Sequence, residues 1–263
     1  MGVVNVTPDS FSDGGRFLDP DAAVAHARTL LAEGADILDI GGESTRPGAA
    51  PVDAAEETAR VVPVIAGVRA ESDRPISIDT LKPAVARAAI GAGADIWNDV
   101  TALRGAADSA DAAAALGCTV VLMHMQGEPR TMQKDPRYGD VVAEVREFLA
   151  ERAEAAMAAG VARERIWLDP GIGFGKTLAH NLALLADLET LTALGFPLVL
   201  GVSRKRFIQA IDAAAERAED RLGGSLAAAL LGADKGAAVL RVHDVRETVQ
   251  ALAVRQAVRR ELA

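Results

Sequence analysis

The chain has 263 residues, 50% of them hydrophobic but only 3% aromatic, and a formal net charge of −9. That length and composition describe one domain with a large core of Val, Ile, Leu and Ala, and the acidic balance argues against nucleic acids and anionic membranes as partners, since neither would gain counterion release. No apolar run approaches the ~20 residues that span a bilayer, no basic-then-apolar leader opens the chain, and a single cysteine, Cys118, excludes an internal disulfide and suits a reducing cytoplasm.

The first apolar run, residues 3–5, ends in Asn5; because it starts almost at Met1, a segment closing the bottom of the fold is expected upstream. A polar, glycine-punctuated stretch over 7–21 follows, and Asp19-Pro20-Asp21 predicts a helix over 22–33 that stops at Gly34. The second strand, 37–39, ends in Asp39 before a helix over 53–69. The third, 76–79, ends in Asp79 before a helix over 82–92, and the fourth, 95–98, ends in Asn98 before a helix over 109–116. Cys118 precedes the fifth strand, 119–124 (TVVLMH); these apolar neighbours make it a small buried residue rather than a nucleophile. A second long polar loop, 125–140 (MQGEPRTMQKDPRYGD), leads into a helix over 141–159. The sixth strand, 166–169, ends in Asp169 before a helix over 178–194; the seventh, 197–203, ends in Ser203 before a helix over 222–233; the eighth, 237–243, ends in His243 before a helix over 245–262. The phrases GAD at 34–36, GAGAD at 91–95 and LGAD at 231–234 are the short returns from a helix to the next strand.

Strand and helix thus alternate about eight times, with a polar residue at the same end of each strand. This is the pattern of a single-domain (β/α)8 barrel over residues 1–263 with a furnished catalytic face. The loops at 7–21 and 125–140 are expected on that face as lids.

Within DPGIGFGK, residues 169–176, three glycines at alternate positions allow close backbone approach to a ligand, and Phe174 offers a flat apolar face. The segment has neither the Walker spacing nor a Rossmann GxGxxG, which argues against a nucleotide-phosphate loop. Asp79, Asn98 and Asp169 converge on the mouth from three strands, and their acceptors and amide suit a flat heterocycle with ring N–H and amino groups. The same carboxylates could ligate a metal, although the chain lacks an HxH or HExxH pair and such residues prefer hard cations shared with substrate phosphates. Arg46, Lys205, Arg241 and His243 lie just beyond strand ends; in an acidic chain this shared address points to a phosphorylated or carboxylated substrate.

The blocks NVTPDSFSDGG, DIGGESTRPGA, SIDT, NDV, MHMQGEPRTMQ, DPGIGFGKTLAHN, GVSRK, GGSLAA and RVHDV resemble, in order and over essentially the whole chain, the signature blocks of the dihydropteroate synthases. The resemblance implies an alkyl (pterinylmethyl) transferase of folate biosynthesis, joining p-aminobenzoate to a dihydropterin methyl diphosphate. It places the pterin on Asp79, Asn98, Asp169 and Lys205, with Arg241 against the ring. It places the diphosphate on Asn5, Thr45, Arg46, Arg241 and His243, with Mg2+ on Asn5 and substrate oxygens. The p-aminobenzoate site would use Pro47, Phe174, Lys205 and Arg206, the last standing where many relatives carry a serine. The resemblance also implies a homodimer and a sulfonamide target.

No Ser/His/Asp triad, acid–base carboxylate pair or activated cysteine is evident, so covalent catalysis has little support. The expected chemistry is dissociative C–O cleavage: Arg46, Arg241, His243 and Mg2+ neutralise the leaving diphosphate, while Asp79 and Asp39 stabilise the pterin cation. Two other readings share part of this pattern. A methyltetrahydrofolate-binding corrinoid methyltransferase would share the pterin ligands but has no use for Arg46, Arg241 and His243 together. A catalytically silent paralogue should have lost a site residue, and none of the main matches is lost.

Overall fold

A computed structural model describes residues 1–7, 19–44, 51–128 and 131–261. Its strands are β1 (Gly2–Asn5), β2 (Leu38–Gly41), β3 (Ile76–Asp79), β4 (Ile96–Asp99), β5 (Thr119–Met123), β6 (Ile166–Asp169), β7 (Val199–Gly201) and β8 (Val239–Arg241). β1 to β6 pair in parallel in chain order, as do β7 and β8. Single bridges close the ring, Leu168 to Leu198 between β6 and β7 and Gly2 to Val242 between β1 and β8. The seam at β8 and β1 is held by Val3 N–H donating to Val242 O at 3.1 Å and Val242 N–H donating to Met1 O at 2.9 Å. The chain is a (β/α)8 barrel.

The pleat sorts every strand into two faces. Leu38, Ile40, Ile76, Ile78, Trp97, Val120, Leu122, Ile166, Leu168, Leu200 and Leu240 belong to the main core between barrel and helices. Residues of the opposite phase, Ile37, Ile96, Val121, Trp167, Val199 and Val239, form a separate apolar plug. The same inward phase, continued towards the C-terminal ends, carries Asn5, Asp39, Asp79, Asn98, Asp169 and Arg241. Polar groups therefore sit on an apolar floor at one mouth.

The surrounding helices are α1 (Pro20–Ala32), α2 (Ala54–Glu71), α3 (Pro83–Gly91), α4 (Ser109–Leu116), α5 (Val141–Ala158), α6 (Leu178–Ala186), α7 (Leu188–Thr192), α8 (Arg206–Ile211), α9 (Leu222–Asp234) and α10 (Val245–Glu261). Asp19, Asp53, Asp140 and Thr177 cap α1, α2, α5 and α6 by accepting first-turn N–H groups. Two expectations are corrected. The helix expected over 178–194 breaks at Asp187, whose φ of −119° and ψ of 40° leave the helical region; its carboxylate instead accepts from the Thr190 hydroxyl at 2.8 Å. The segment after Lys205 forms the unpredicted α8, whose six residues are too few to show a period. Cys118 is buried, and burial pushes its thiol up to about 11, as its apolar setting suggested.

Candidate active site

Strand register brings the polar ends together. Asn5 pairs with Gly41, Gly41 with Asp79 and Asp79 with Asn98, one row around half the mouth. Asp39 lies one inward step deeper, between Val3 and Ser77, and is fully buried. Arg241 reaches across from β8, with Nε 2.5 Å from Asp39 Oδ2 and Nη2 2.8 Å from Asp79 Oδ2. Asn98 Nδ2 donates to the same Asp39 oxygen at 3.4 Å. The second oxygens of both carboxylates, Asp39 Oδ1 and Asp79 Oδ1, are buried and have no protein partner. Burial pushes the Asp79 carboxyl up to about 7, with Arg241 opposing the rise and Asp39, Glu57 and Asp99 reinforcing it. A buried carboxyl with an unused oxygen is an acceptor waiting for a polar donor.

The other wall is built from β6, β7 and the turns beyond them. Asp169 Oδ1 accepts the Gly171 N–H at 2.7 Å, and burial raises its carboxyl pKa against the pull of Lys205. Arg204 adopts the left-handed region, φ +59°, held by Asp244 at 3.0 Å from Nε and by the Ser225 hydroxyl at 2.8 Å from its N–H. This strained turn aims Lys205 into the mouth. Lys205 Nζ donates to Ile172 O and stands 4.9 Å from the Phe174 ring centroid. Burial lowers its ammonium to about 8, with Asp169 and Asp79 opposing and Arg241 adding to the shift. Ser203 Oγ lies 3.1 Å from His243 Nδ1 and 3.2 Å from the His243 backbone N, joining the ends of β7 and β8.

Phe174 and Leu81 border a small apolar cluster of Val100, Met123, Met125 and Met132. The described part of the 125–140 loop covers the glycine-rich turn: Gln133 donates to Gly173 O, and Tyr138 Oη donates to Gly175 O at 2.8 Å. A Cβ on Gly171, whose φ is +64°, would fall 1.9 Å from His124 O, and one on Gly175 would fall 2.5 Å from Gln126 O. The expected close approach of backbone is therefore made to the protein itself.

The structure brings Asn5, Asp39, Asp79, Asn98, Asp169, Phe174, Lys205, Arg241 and His243 to one mouth. Arg206 is exposed at the first turn of α8, beside Lys205. Thr45, Arg46 and Pro47, and most of the 7–21 loop, lie outside the described residues. Asn5 contributes one neutral amide oxygen, and among the described residues no cluster of three His, Cys, Asp or Glu could hold a metal. That donor set fits a hard cation carried largely by substrate oxygens. Sequence reasoning missed three groups. Ser77 Oγ is buried without a partner beside Asp39. Lys82 joins Glu43 and the buried Glu57. Lys176 is buried under the glycine-rich turn; only its place after GFG hinted at a role.

A family model described as pterin binding enzyme matches residues 1–243. Dihydropteroate synthase of Escherichia coli K12 is 48% identical over 258 residues, 98% of this chain and 90% of that protein. Among solved structures, Xanthomonas albilineans dihydropteroate synthase with 4-aminobenzoic acid superposes with a TM-score of 0.92 at 54% identity, over 98% of this chain and 92% of that one. The X. albilineans enzyme in complex with 7,8-dihydropteroate gives a TM-score of 0.89 at 52% identity over the same shares, 98% and 92%. With its barrel, its acceptor-lined mouth and these likenesses along its length, the chain belongs to the dihydropteroate synthase family of pterin-binding enzymes.

Proposed function

We propose that this chain condenses (7,8-dihydropterin-6-yl)methyl diphosphate with p-aminobenzoate to give 7,8-dihydropteroate and diphosphate. The observation that carries this reading is the pair of unpartnered buried carboxylate oxygens, on Asp39 and Asp79, facing the same mouth as Asn98, Asp169 and Lys205. A pterin presents ring N–H and amino donors and a carbonyl, which match the carboxylates of Asp79 and Asp169, the Asn98 amide and the Lys205 ammonium, with Asp39 behind them. The ligands named with the X. albilineans structures, 4-aminobenzoic acid and 7,8-dihydropteroate, support the same substrates here.

The residues divide between the two parts of the substrate. Asp79, Asn98, Asp169 and Lys205 hold the pterin, while Asn5, Arg46, Thr45, His243 and Arg241 hold the diphosphate. Arg241, already engaged by Asp39 and Asp79, joins the two halves. The C–O bond to diphosphate breaks with its electron pair leaving on oxygen, and the electron-rich ring stabilises the methylene cation beside Asp79 and Asp39. The arylamine nitrogen then forms the C–N bond and gives up one proton to the released diphosphate, with the amine seated by Phe174, Pro47, Lys205 and Arg206. Asn5, together with substrate oxygens, would hold Mg2+, which would supply neutralising charge to the leaving diphosphate.

We further read the chain as a homodimer acting in the cytoplasm. Exposed Leu182, Ile211 and Leu231 on α6, α8 and α9 offer apolar surface for a second copy, and among the described residues no helix is long and apolar enough to cross a membrane.

Calorimetric titration with the pterin diphosphate tests the substrate. Binding that weakens by about 10-fold or more in Asp79→Asn is expected; equal binding by both proteins removes Asp79 from the site. Positional isotope exchange tests the dissociative step. Scrambling of bridging oxygen before p-aminobenzoate binds supports it, whereas no scrambling and no trappable pterin cation would contradict it.

A further inference from the structure

The glycine-rich turn folds around an amino group that belongs to the chain, that of Lys176, which burial lowers to about 7, with Asp169 opposing and Lys205 adding to the shift. Lys176 is 3% exposed, and its Nζ lies 3.0 Å from Gly171 O, 3.0 Å from Phe174 O, 2.8 Å from His124 Nδ1 and 3.4 Å from His124 O. Burial lowers the His124 imidazole to about 3, with Lys176 adding to the shift, so the ring beside Lys176 is neutral. Gly171, Gly173 and Gly175 have φ of +64°, +84° and +62°. This alternation turns carbonyls, not N–H groups, towards the amino group, the reverse of a phosphate cradle.

Every carbonyl of the turn accepts from a side chain: Gly171 O and Phe174 O from Lys176, Ile172 O from Lys205, Gly173 O from Gln133 and Gly175 O from Tyr138. Gly173 N–H donates to Asn181 Oδ1 at 2.7 Å. Lys176 is enclosed by these acceptors and does not face the mouth, so it does not touch substrate. The backbone it organises carries Phe174 and the carbonyl that holds Lys205, so the same short peptide lies between two lysine amino groups.

We propose that Lys176 is a positioning residue: an internal amino group whose carbonyl cage sets the place of Phe174 and, through Ile172 O, of the Lys205 ammonium that faces p-aminobenzoate. The inference rests on the proposed function for its substrate, and on the cage for its physics. Without the amino group, the inward carbonyls of Gly171 and Phe174 lose this donor at a buried site, and the turn must rearrange to satisfy them.

Steady-state kinetics of Lys176→Met, which retains the stem and removes the amino group, is the test. The KM for p-aminobenzoate should rise about 10-fold or more and that for the pterin diphosphate less than about 3-fold, with a cooperative thermal transition retained. In a Phe174→Ala background the same change should add less than about 2-fold, because both act through one element. Unchanged KM values with only a smaller active fraction, or full additivity with Phe174→Ala, would overturn the proposal. If Lys176→Met does not fold, Asn181→Ala decides: a smaller split in the same direction supports the inference, and equal KM values for the two substrates relative to wild type overturn it. If the wild-type chain forms no dihydropteroate, the functional reading fails separately. Hydrogen exchange then judges the cage: faster exchange at the Gly173 and Phe174 amides in Lys176→Met supports it, and unchanged exchange refutes it.

Discussion

Replacing Arg241 by methionine would leave two carboxylates facing each other in the barrel mouth. The guanidinium bridges Asp39 at 2.5 Å and Asp79 at 2.8 Å, and Asp39 has no exposed surface. Removing one partner of such a buried arrangement costs about 3–5 kcal/mol, which for a chain of this length lowers the thermal midpoint by roughly 6–20 °C. The penalty must also depend on pH. Burial already holds Asp79 at about 7, above its ordinary 3.8, so the folded state keeps a proton that the unfolded chain releases. Stability from this group is therefore greatest at low pH and declines as pH rises from about 4 through about 7. Arg241 opposes that rise, so its loss moves the folded value further up and makes the variant's deficit larger at pH 8 than at pH 5, by about 1 kcal/mol per unit of additional shift. Urea unfolding of both proteins at the two pH values measures this. A deficit below about 1 kcal/mol, or one equal at pH 5 and pH 8, would refute the view that Arg241 compensates buried carboxylate charge.

Gly171→Ala should destabilise the fold by roughly 3 kcal/mol, from a left-handed backbone and a Cβ overlapping His124 O at 1.9 Å; an unchanged urea midpoint would contradict the packing of the turn. Lys205→Ala should weaken both pterin and p-aminobenzoate binding by about 10-fold to 100-fold while the far-ultraviolet circular dichroism is retained, and calorimetry with each ligand checks it. Cys118, raised to about 11 by burial, should not react with a thiol reagent at pH 7 until urea unfolds the chain; rapid native labelling would mean that the site opens.

Much of the fold was legible because the strands obey one rule twice. Alternation separates Ile76 and Ile78, facing the helices, from Ser77 and Asp79, facing in, and parallel register then aligns Asp79 with Asn98. A polar residue ending each strand is therefore already an address at the mouth. What escaped depended on phase and distance. His124 ends the fifth apolar run but has the outward phase, so it meets Lys176 rather than substrate. The expectation that backbone at 169–176 comes close to a ligand rests on the glycines' freedom, which does not show that the group they enclose is Lys176, since a lysine after such a run reads alike in either role. Arg241 was assigned to pterin and diphosphate by resemblance; its pairing with Asp39 crosses 202 positions of sequence and leaves no local pattern. The break at Asp187 is accompanied by two hydrogen bonds from Thr190, one to the Asp187 carboxylate and one to its carbonyl, too weak a signal against an apolar helical period.

The central claim is that the acceptor-lined mouth and its cations form one site for a pterin diphosphate and an arylamine. Its most direct test is product formation by the purified chain from (7,8-dihydropterin-6-yl)methyl diphosphate and p-aminobenzoate, with and without Mg2+. The account predicts equal amounts of 7,8-dihydropteroate and diphosphate, formed faster with Mg2+ and nearly abolished in Arg241→Met. Absence of product from a folded chain that binds both substrates, or undiminished turnover by Arg241→Met, would contradict it.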